Sequence, residues 1–253
     1  MTLRWVPGWN GLTEPEAVSY VAAVEAADEQ ELEFGVARAI NDFVAGCKQD
    51  KIWDAIKASC ILAGARTLDG ALVPLVGTAP TKNGTEAGWN YNRETGLKGN
   101  GTDNYLNSNR NNQDDPQSNK HLSVYQTEEE TRDIPRSAIS APSCELLTTP
   151  TTRITRINDG SGGLATSFSA GLWGASRNLI TSKQVRYAGV TTVYSTAATT
   201  YVDNDIGVFC RYATPTSLSD ARLAFYSIGE SLDLTALDTR VSNLITAIGA
   251  AIP

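Results

Sequence analysis

The apolar residues of this chain change period part-way along. Before about residue 65 they recur at three- and four-residue steps; after about residue 104 they alternate with polar residues at a step of two. Period 3.6 places residues on one face of a helix, and period two places them on one face of a strand. A chain with this pattern builds helices first and a half-buried sheet afterwards. The short strand-like runs are rich in β-branched and aromatic residues and are broken by Gly, Asn, Asp and Pro. That combination points to an antiparallel two-sheet sandwich rather than a parallel sheet with interleaved helices.

The strands expected are Tyr105–Ser108, His121–Gln126, Glu145–Leu147, Arg153–Ile157, Leu164–Phe168, Gly171–Trp173, Gln184–Tyr187, Thr192–Ser195, Ile206–Tyr212 and Arg222–Ile228. In the second of these, Leu122, Val124 and Gln126 oppose His121, Ser123 and Tyr125, so one set faces a core. Three helices are expected before the strands. The first has Thr13 as N-cap, Pro15 in the first turn and Glu16 at the capping-box position, and runs to about Asp28. A second runs from about Gln30 through Leu32, Val36, Ile40, Phe43, Val44 and Cys47. A third runs from about Asp50 through Ile52, Trp53, Ile56, Cys60 and Ile61 to a stop at Gly64. After the strands, Leu234, Leu237, Val241, Leu244, Ile245, Ile248 and Ile252 form the apolar stripe of a closing amphipathic helix. The organisation expected is an arm and helical attachment or oligomerisation segment at 1–80, a sandwich at 81–232 and a C-terminal helix at 233–253.

A chain of 253 residues with a formal net charge of −7 repels phosphate backbones, which disfavours nucleic acid as a partner. No stretch approaches the roughly 20 apolar residues of a membrane span, and the N-terminus has no continuous apolar signal region. Cys47, Cys60, Cys144 and Cys210 form no C-x-x-C pair and read as buried free thiols. Arg153, Arg156, Arg177, Lys183 and Arg186 read as solvated strand edges. Asn83 and Asn100 begin N-x-T triplets, read here as turn chemistry.

Little in the sequence carries catalysis. His121 lies inside a strand with no G-x-S-x-G elsewhere. Glycoside hydrolysis needs two carboxylates across a cleft, and the contiguous Glu128-Glu129-Glu130 run reads as solvent-facing. Calcium takes oxygen ligands of the kind supplied by Asp114 and Asp115 beside Asn111 and Asn112, with Asn158-Asp159 and Asp203-Asn204-Asp205 as similar loops; the same residues are standard turn formers. A carbohydrate site is expected at Trp89, Asn90, Tyr91 and Asn92, where rings stack on sugar faces and amides bond hydroxyls, with the Asn111–Asp115 loop beside it. The other reading of Trp89 and Tyr91 is that they cover the sandwich edge. Trp173 and Tyr201 are further aromatic candidates.

The stretch GLKGNGTDNYLNS (Gly96 to Ser108) and the late pair IGVFCRYA and RLAFYSIGESL resemble the concanavalin A-like, or LamG-like, jelly roll. The stretches KIWDAIKASCILAGARTLDGALVPLVGTAPT (Lys51 to Thr81) and YNRETGLKGNGTDNYLNSNRNNQDD (Tyr91 to Asp115), with the ending LDTRVSNLITAIGAAIP, resemble structural proteins of tailed bacteriophages of the tail-fibre or baseplate type. The resemblance implies a non-enzymatic virion component, made in the host cytoplasm. It would mediate attachment to host surface polysaccharide. It implies self-association, expected to be trimeric, and contact with other virion proteins through the N-terminal segment and the Trp5/Trp9 arm. It transfers no individual binding residue. The alternatives it leaves are a capsid decoration protein, and a cellular lectin or glycoside hydrolase.

Overall fold

The strand-rich part of the chain folds into two antiparallel sheets packed face to face, with the helices laid over one of them. The computed structural model describes residues 11–131, 133–160, 163–164, 167–199, 202–211 and 215–253. The Trp5 and Trp9 arm, Tyr201, and parts of two expected strands (Ala165, Thr166 and Tyr212) lie outside these residues.

In chain order the elements begin with α1 (Pro15–Asp28), α2 (Phe34–Gln49), β1 (Ile56–Ile61), α3 (Leu68–Ala71), β2 (Thr81–Asn83), β3 (Asn90–Asn92) and β4 (Gly96–Lys98). Next come β5 (Tyr105–Asn111), β6 (Lys120–Glu128), β7 (Arg136–Ala141), β8 (Cys144–Thr148), β9 (Arg153–Ile157) and β10 (Gly163–Leu164). The chain closes with β11 (Gly171–Leu179), β12 (Ser182–Tyr187), β13 (Val190–Tyr194), β14 (Asp205–Val208), β15 (Arg222–Gly229) and α4 (Leu234–Ala251). Among the described residues the helix-clad sheet has the order β13-β12-β11-β6-β15-β4-β3, with β1 also pairing β15, and the second sheet has the order β10-β9-β8-β7-β14-β5-β2. The architecture is the mainly β, antiparallel jelly-roll sandwich with helices at both ends that the period change implies.

Two cores follow from the layering. Between the sheets lie Leu122, Val124, Trp173, Val185, Val208, Leu223, Tyr226 and Ile228. Between the helices and their sheet lie Val36, Ile40, Phe43, Val44, Leu237, Val241, Leu244 and Ile248, against Leu172, Ala224 and Phe225. Phe43 meets Phe225 edge-on at 5.7 Å. Each such side chain fully buried is worth roughly 1.5–3 kcal/mol. Strand β15 serves both cores, which is why every residue of RLAFYSIG is buried and why its stretch 223–226 carries no alternation of apolar and polar residues.

The third expected helix is not formed. Ile56–Ile61 is strand β1, paired antiparallel to β15 from Ile56↔Gly229 to Ile61↔Phe225. Cys60 is therefore a strand residue. With Ala58 and Cys60 in one core and Ile56 and Ile61 in the other, both faces of β1 carry buried apolar side chains; a short run of that kind cannot be told from helix by periodicity. The segment 1–80 thus contributes a strand to the sandwich, and its helices spend their apolar faces on the sheet. At the start of α1 the cap also differs. Glu14 holds the N-cap position without a side-chain bond, and the Asn41 Oδ1 accepts from the Thr13 and Glu14 amides at 2.7 and 2.9 Å. Glu16 instead pairs with Lys48 at 2.6 Å. The closing helix runs as expected, capped by Asp233, whose Oδ1 accepts from Thr235 N at 2.7 Å.

Three of the five basic strand residues are not solvated edges, while Arg156 and Arg186 stay partly exposed. Arg153, Arg177 and Lys183 lie inside the sandwich, no more than 1% exposed, because each finds anionic or carbonyl partners there. The Arg153 guanidinium lies 5.2 Å from the ring centres of both Trp173 and Tyr187, and its Nη2 donates to Glu129 Oε1 at 3.0 Å. The acidic run is correspondingly only partly solvent-facing: Glu128 and Glu129 keep partly exposed side chains but are ion-paired. Glu130 is buried against Arg153, Glu129 pairs with Arg153, and Glu128 pairs with Arg222 at 2.8 Å.

Candidate functional site

One end of the sandwich gathers polar loops from distant parts of the sequence. Asn111 Nδ2 donates to Asp203 Oδ1 at 2.8 Å, Asn158 Nδ2 to Gln117 O at 3.0 Å, and Ser231 N to Asn119 Oδ1 at 3.0 Å. Ala198 N donates to Ile180 O at 2.6 Å, tying in the β11–β12 turn. Beneath these loops lies an ionic floor. The Asp159 carboxylate takes Arg177 Nη2 and Lys183 Nζ, each at 2.8 Å, and Thr196 Oγ1 at 3.0 Å. Burial pushes the Lys183 ammonium below its usual range, against the pull of Asp159.

Where this end meets the start of α4, an open depression of about 500 Å³ is lined by Ser176, Asn178, Gln184, Ser231, Leu232 and Asp233. Strand register builds its floor: Ser176 on β11 stands opposite Gln184 on β12, which stands opposite Val193 on β13. Ser176 Oγ donates to Leu232 O at 2.9 Å and accepts from Leu232 N at 3.1 Å, which fixes the approach to α4 against the sheet. Ser231 Oγ donates to Asn119 Oδ1 at 2.5 Å. Asn178 and Gln184 are exposed, and neither side-chain amide has a hydrogen-bond partner among the described residues.

The expected carbohydrate group lies elsewhere. Trp89 to Asn92 border or form β3, an edge strand of the helix-clad sheet, whereas β13 is its other edge. The half-buried Trp89 ring packs edge-on against Phe209 at 5.7 Å. Tyr91 Oη donates to Ala65 O at 2.7 Å, and burial pushes that phenol above its usual range. Asn90 Oδ1 accepts from Arg222 Nη2 at 2.8 Å, and Asn92 Oδ1 accepts from the Glu94 and Thr95 amides at 2.9 and 3.0 Å. Tyr91, Asn90 and Asn92 thus have hydrogen-bond partners within the chain, and Trp89 has a ring contact, while its buried Nε1 has no hydrogen-bond partner among the described residues. Nor is the Asn111–Asp115 loop beside them. The turn next to Trp89 contacts Asn104, before β5, whereas that loop lies at and beyond the far end of β5. Trp173 is buried, its Nε1 donating to Thr155 Oγ1 at 2.9 Å.

The calcium candidates are committed to the protein. Asp115 is buried and holds Arg110 through both oxygens, at 3.0 Å (Oδ2 to Nε) and 2.5 Å (Oδ1 to Nη2), while Asp114 Oδ2 accepts from Asn111 N at 2.9 Å. Among the described residues no three or more His, Cys, Asp or Glu side chains are grouped as metal ligands. His121 is buried. Its Nδ1 lies 2.6 Å from Glu230 O and its Nε2 2.6 Å from Ser227 Oγ, so the neutral ring donates from Nδ1 and accepts at Nε2. Burial lowers its pKa to about 4. Asn100 acts in a turn as expected, its Oδ1 accepting from the Thr102, Asp103 and Asn104 amides.

Sequence reasoning missed Asn178, Gln184, Ser231 and Asp233 as a group. The only available signal was the E-S-L-D capping stretch before the amphipathic helix, and nothing local says which strands face it.

No family model matches the chain, and no curated protein matches it. Solved structures do. The binding domain of botulinum neurotoxin serotype D superposes with a TM-score of 0.50 at 13% identity, over 75% of this chain and 51% of that one. A sialidase of Trypanosoma rangeli gives a TM-score of 0.41 at 9% identity, over 84% of this chain and 40% of that one. This chain therefore spans about half the length of the first match and less of the second, and what it shares with the toxin domain is the β-sandwich fold.

Proposed function

We propose that this protein is a non-enzymatic structural component of a tailed-bacteriophage virion, of tail-fibre or baseplate type, that helps attach the particle to glycans on the host surface. The sandwich fold, shared with a toxin's binding domain, and the phage-like stretches at 51–81, 91–115 and 237–253 support this reading. Its buried carboxylates also support a non-enzymatic role, since Asp115, Asp159, Glu130 and Glu145 each hold a guanidinium or ammonium group rather than facing an open cleft.

The observation that carries the proposal is the polarity of the molecule. The two ends of the described chain meet beyond the C-terminus of α4, where a Cβ on Gly11 would touch Phe34 and one on Gly35 would touch Ala251. The open polar depression lies at the N-terminus of the same 18-residue helix, about 27 Å away. Attachment to neighbouring virion proteins at the first end would leave the second facing outward. Copies would repeat around a symmetry axis, as a trimer on the virion-attachment reading.

The test is to purify particles of the phage that encodes the chain, find the protein in them by mass spectrometry, and image them with gold-labelled antibody. Label at the tail or baseplate, together with competition by the free protein for adsorption, supports the proposal. Label spread over the capsid makes it a decoration protein. Absence from the particle overturns the virion reading.

A further inference from the structure

We infer that the depression lined by Ser176, Asn178, Gln184, Ser231, Leu232 and Asp233 is a subsite for a neutral, hydroxyl-rich saccharide unit. The inference rests on the glycan-attachment reading and assigns it a place and a ligand chemistry.

The lining supplies what a sugar needs. The Asn178 and Gln184 amides each offer a donor and an acceptor and have no hydrogen-bond partner among the described residues. Their N–H and C=O groups can bond vicinal hydroxyls, which act as donor and acceptor at once. Ser176 and Ser231 are already oriented by Leu232 and Asn119, so the wall behind the amides is preorganised. The volume of about 500 Å³ falls within the roughly 300–1,000 Å³ of small-molecule sites. The cross-strand row Ser176, Gln184, Val193 runs from hydroxyl to amide to an apolar side chain that is 63% exposed. A pyranose has the same two-sided character, with hydroxyls at its edge and C–H groups on its face.

Charge decides which saccharides fit. The lining includes Asp233 and no Lys or Arg. Of the nearby cations, Arg177 and Lys183 are bound to Asp159 beneath the floor, and Arg186 is held by Asp238 at 2.8 Å. A sugar carboxylate or sulfate would thus meet an anion with no free counter-charge, in a chain of net charge −7. The free amide protons of α4 are not the recognition element, because Asp233 already caps them.

The experiment uses the full chain on an array of neutral oligosaccharides (glucans, galactans, mannans) and acidic ones (sialylated, uronate-containing, sulfated), followed by saturation-transfer NMR with the best probe. Two variants are compared, Asn178→Ala/Gln184→Ala and Val193→Glu, each checked for an unchanged melting temperature. The expected result is binding of a neutral probe, a loss of at least about tenfold in both variants, about 1.4 kcal/mol, and no tighter acidic binder. Undiminished binding in both folded variants, or preference for an acidic probe, overturns the subsite. If the protein coats host cells yet binds no neutral oligosaccharide, the subsite falls while the attachment reading stands. If it binds neutral sugars through these residues but is absent from virions, the subsite stands and the virion reading falls.

Discussion

Asp159 and Arg177 meet in the interior of the sandwich, carboxylate Oδ2 to guanidinium Nη2 at 2.8 Å, with both side chains no more than 1% exposed. Lys183 shares the same carboxylate, so two buried cations depend on one anion. Arg177 offsets its desolvation by also donating to the Ile157, Leu179, Ile180, Ser182 and Thr196 carbonyls. The group holds the floor beneath the loop end.

Removing the anion is therefore expected to be costly. Asp159→Asn leaves two buried cations facing a neutral amide and should lose about 3–5 kcal/mol in urea unfolding. Lys183→Met should cost clearly less, because Arg177 and Asp159 then remain as a balanced pair. Equal losses in the two variants would show that the carboxylate is not the keystone.

His121 should make the fold sensitive to mild acid. Its folded pKa of about 4 lies below the unfolded value of about 6.5, so the unfolded chain binds the proton first. The neutral ring's contribution is complete above about pH 6.5 and is lost as pH falls through about 4, amounting to about 3 kcal/mol over the whole window. Unfolding free energy measured from pH 7 to 4 should fall in the wild type and fall less steeply in His121→Gln. Parallel curves would remove His121 as the cause.

Trp89→Ala is expected to act on stability rather than on adsorption alone. The ring packs on Phe209 and the inter-sheet core, so truncation should cost about 1–3 kcal/mol. Thermal melting reads this directly. A variant that melts with the wild type would return Trp89 to the list of candidate ligand contacts.

The thiols should be silent in the folded protein. All four cysteines are buried and free. Burial pushes Cys47, Cys60 and Cys210 up to about 12 and Cys144 to about 11, which removes the reactive thiolate near neutral pH. A disulfide-exchange reagent should label none of them at pH 8 until denaturant is added. Rapid labelling under native conditions would contradict the burial of whichever cysteine reacts.

Much of the architecture is legible locally. The alternation of Leu122 and Val124 with His121 and Ser123 marks a strand with one face in the inter-sheet core. The stripe from Leu234 to Ile248, with Asp233 before it, marks a capped helix. Both are readable because the periods of two and 3.6 are properties of neighbouring residues. Other features depended on partners far along the chain. β1 became a strand because β15 offered it an edge and both cores accepted its side chains. Arg153, Arg177 and Lys183 went inside because Glu129, Asp159 and a ring of carbonyls were there to receive them; a cation's sequence neighbours do not reveal its counter-ion. The depression exists only because Ser176 and Leu232, 56 residues apart, are bonded together, bringing the β11–β12 amides beside Asp233. Residue order and hydropathy determined which segments with a clear period would be helix or strand, but not the state of β1. Long-range pairing decided which polar side chains would be consumed by the fold and which, Asn178 and Gln184 among them, would be left facing water.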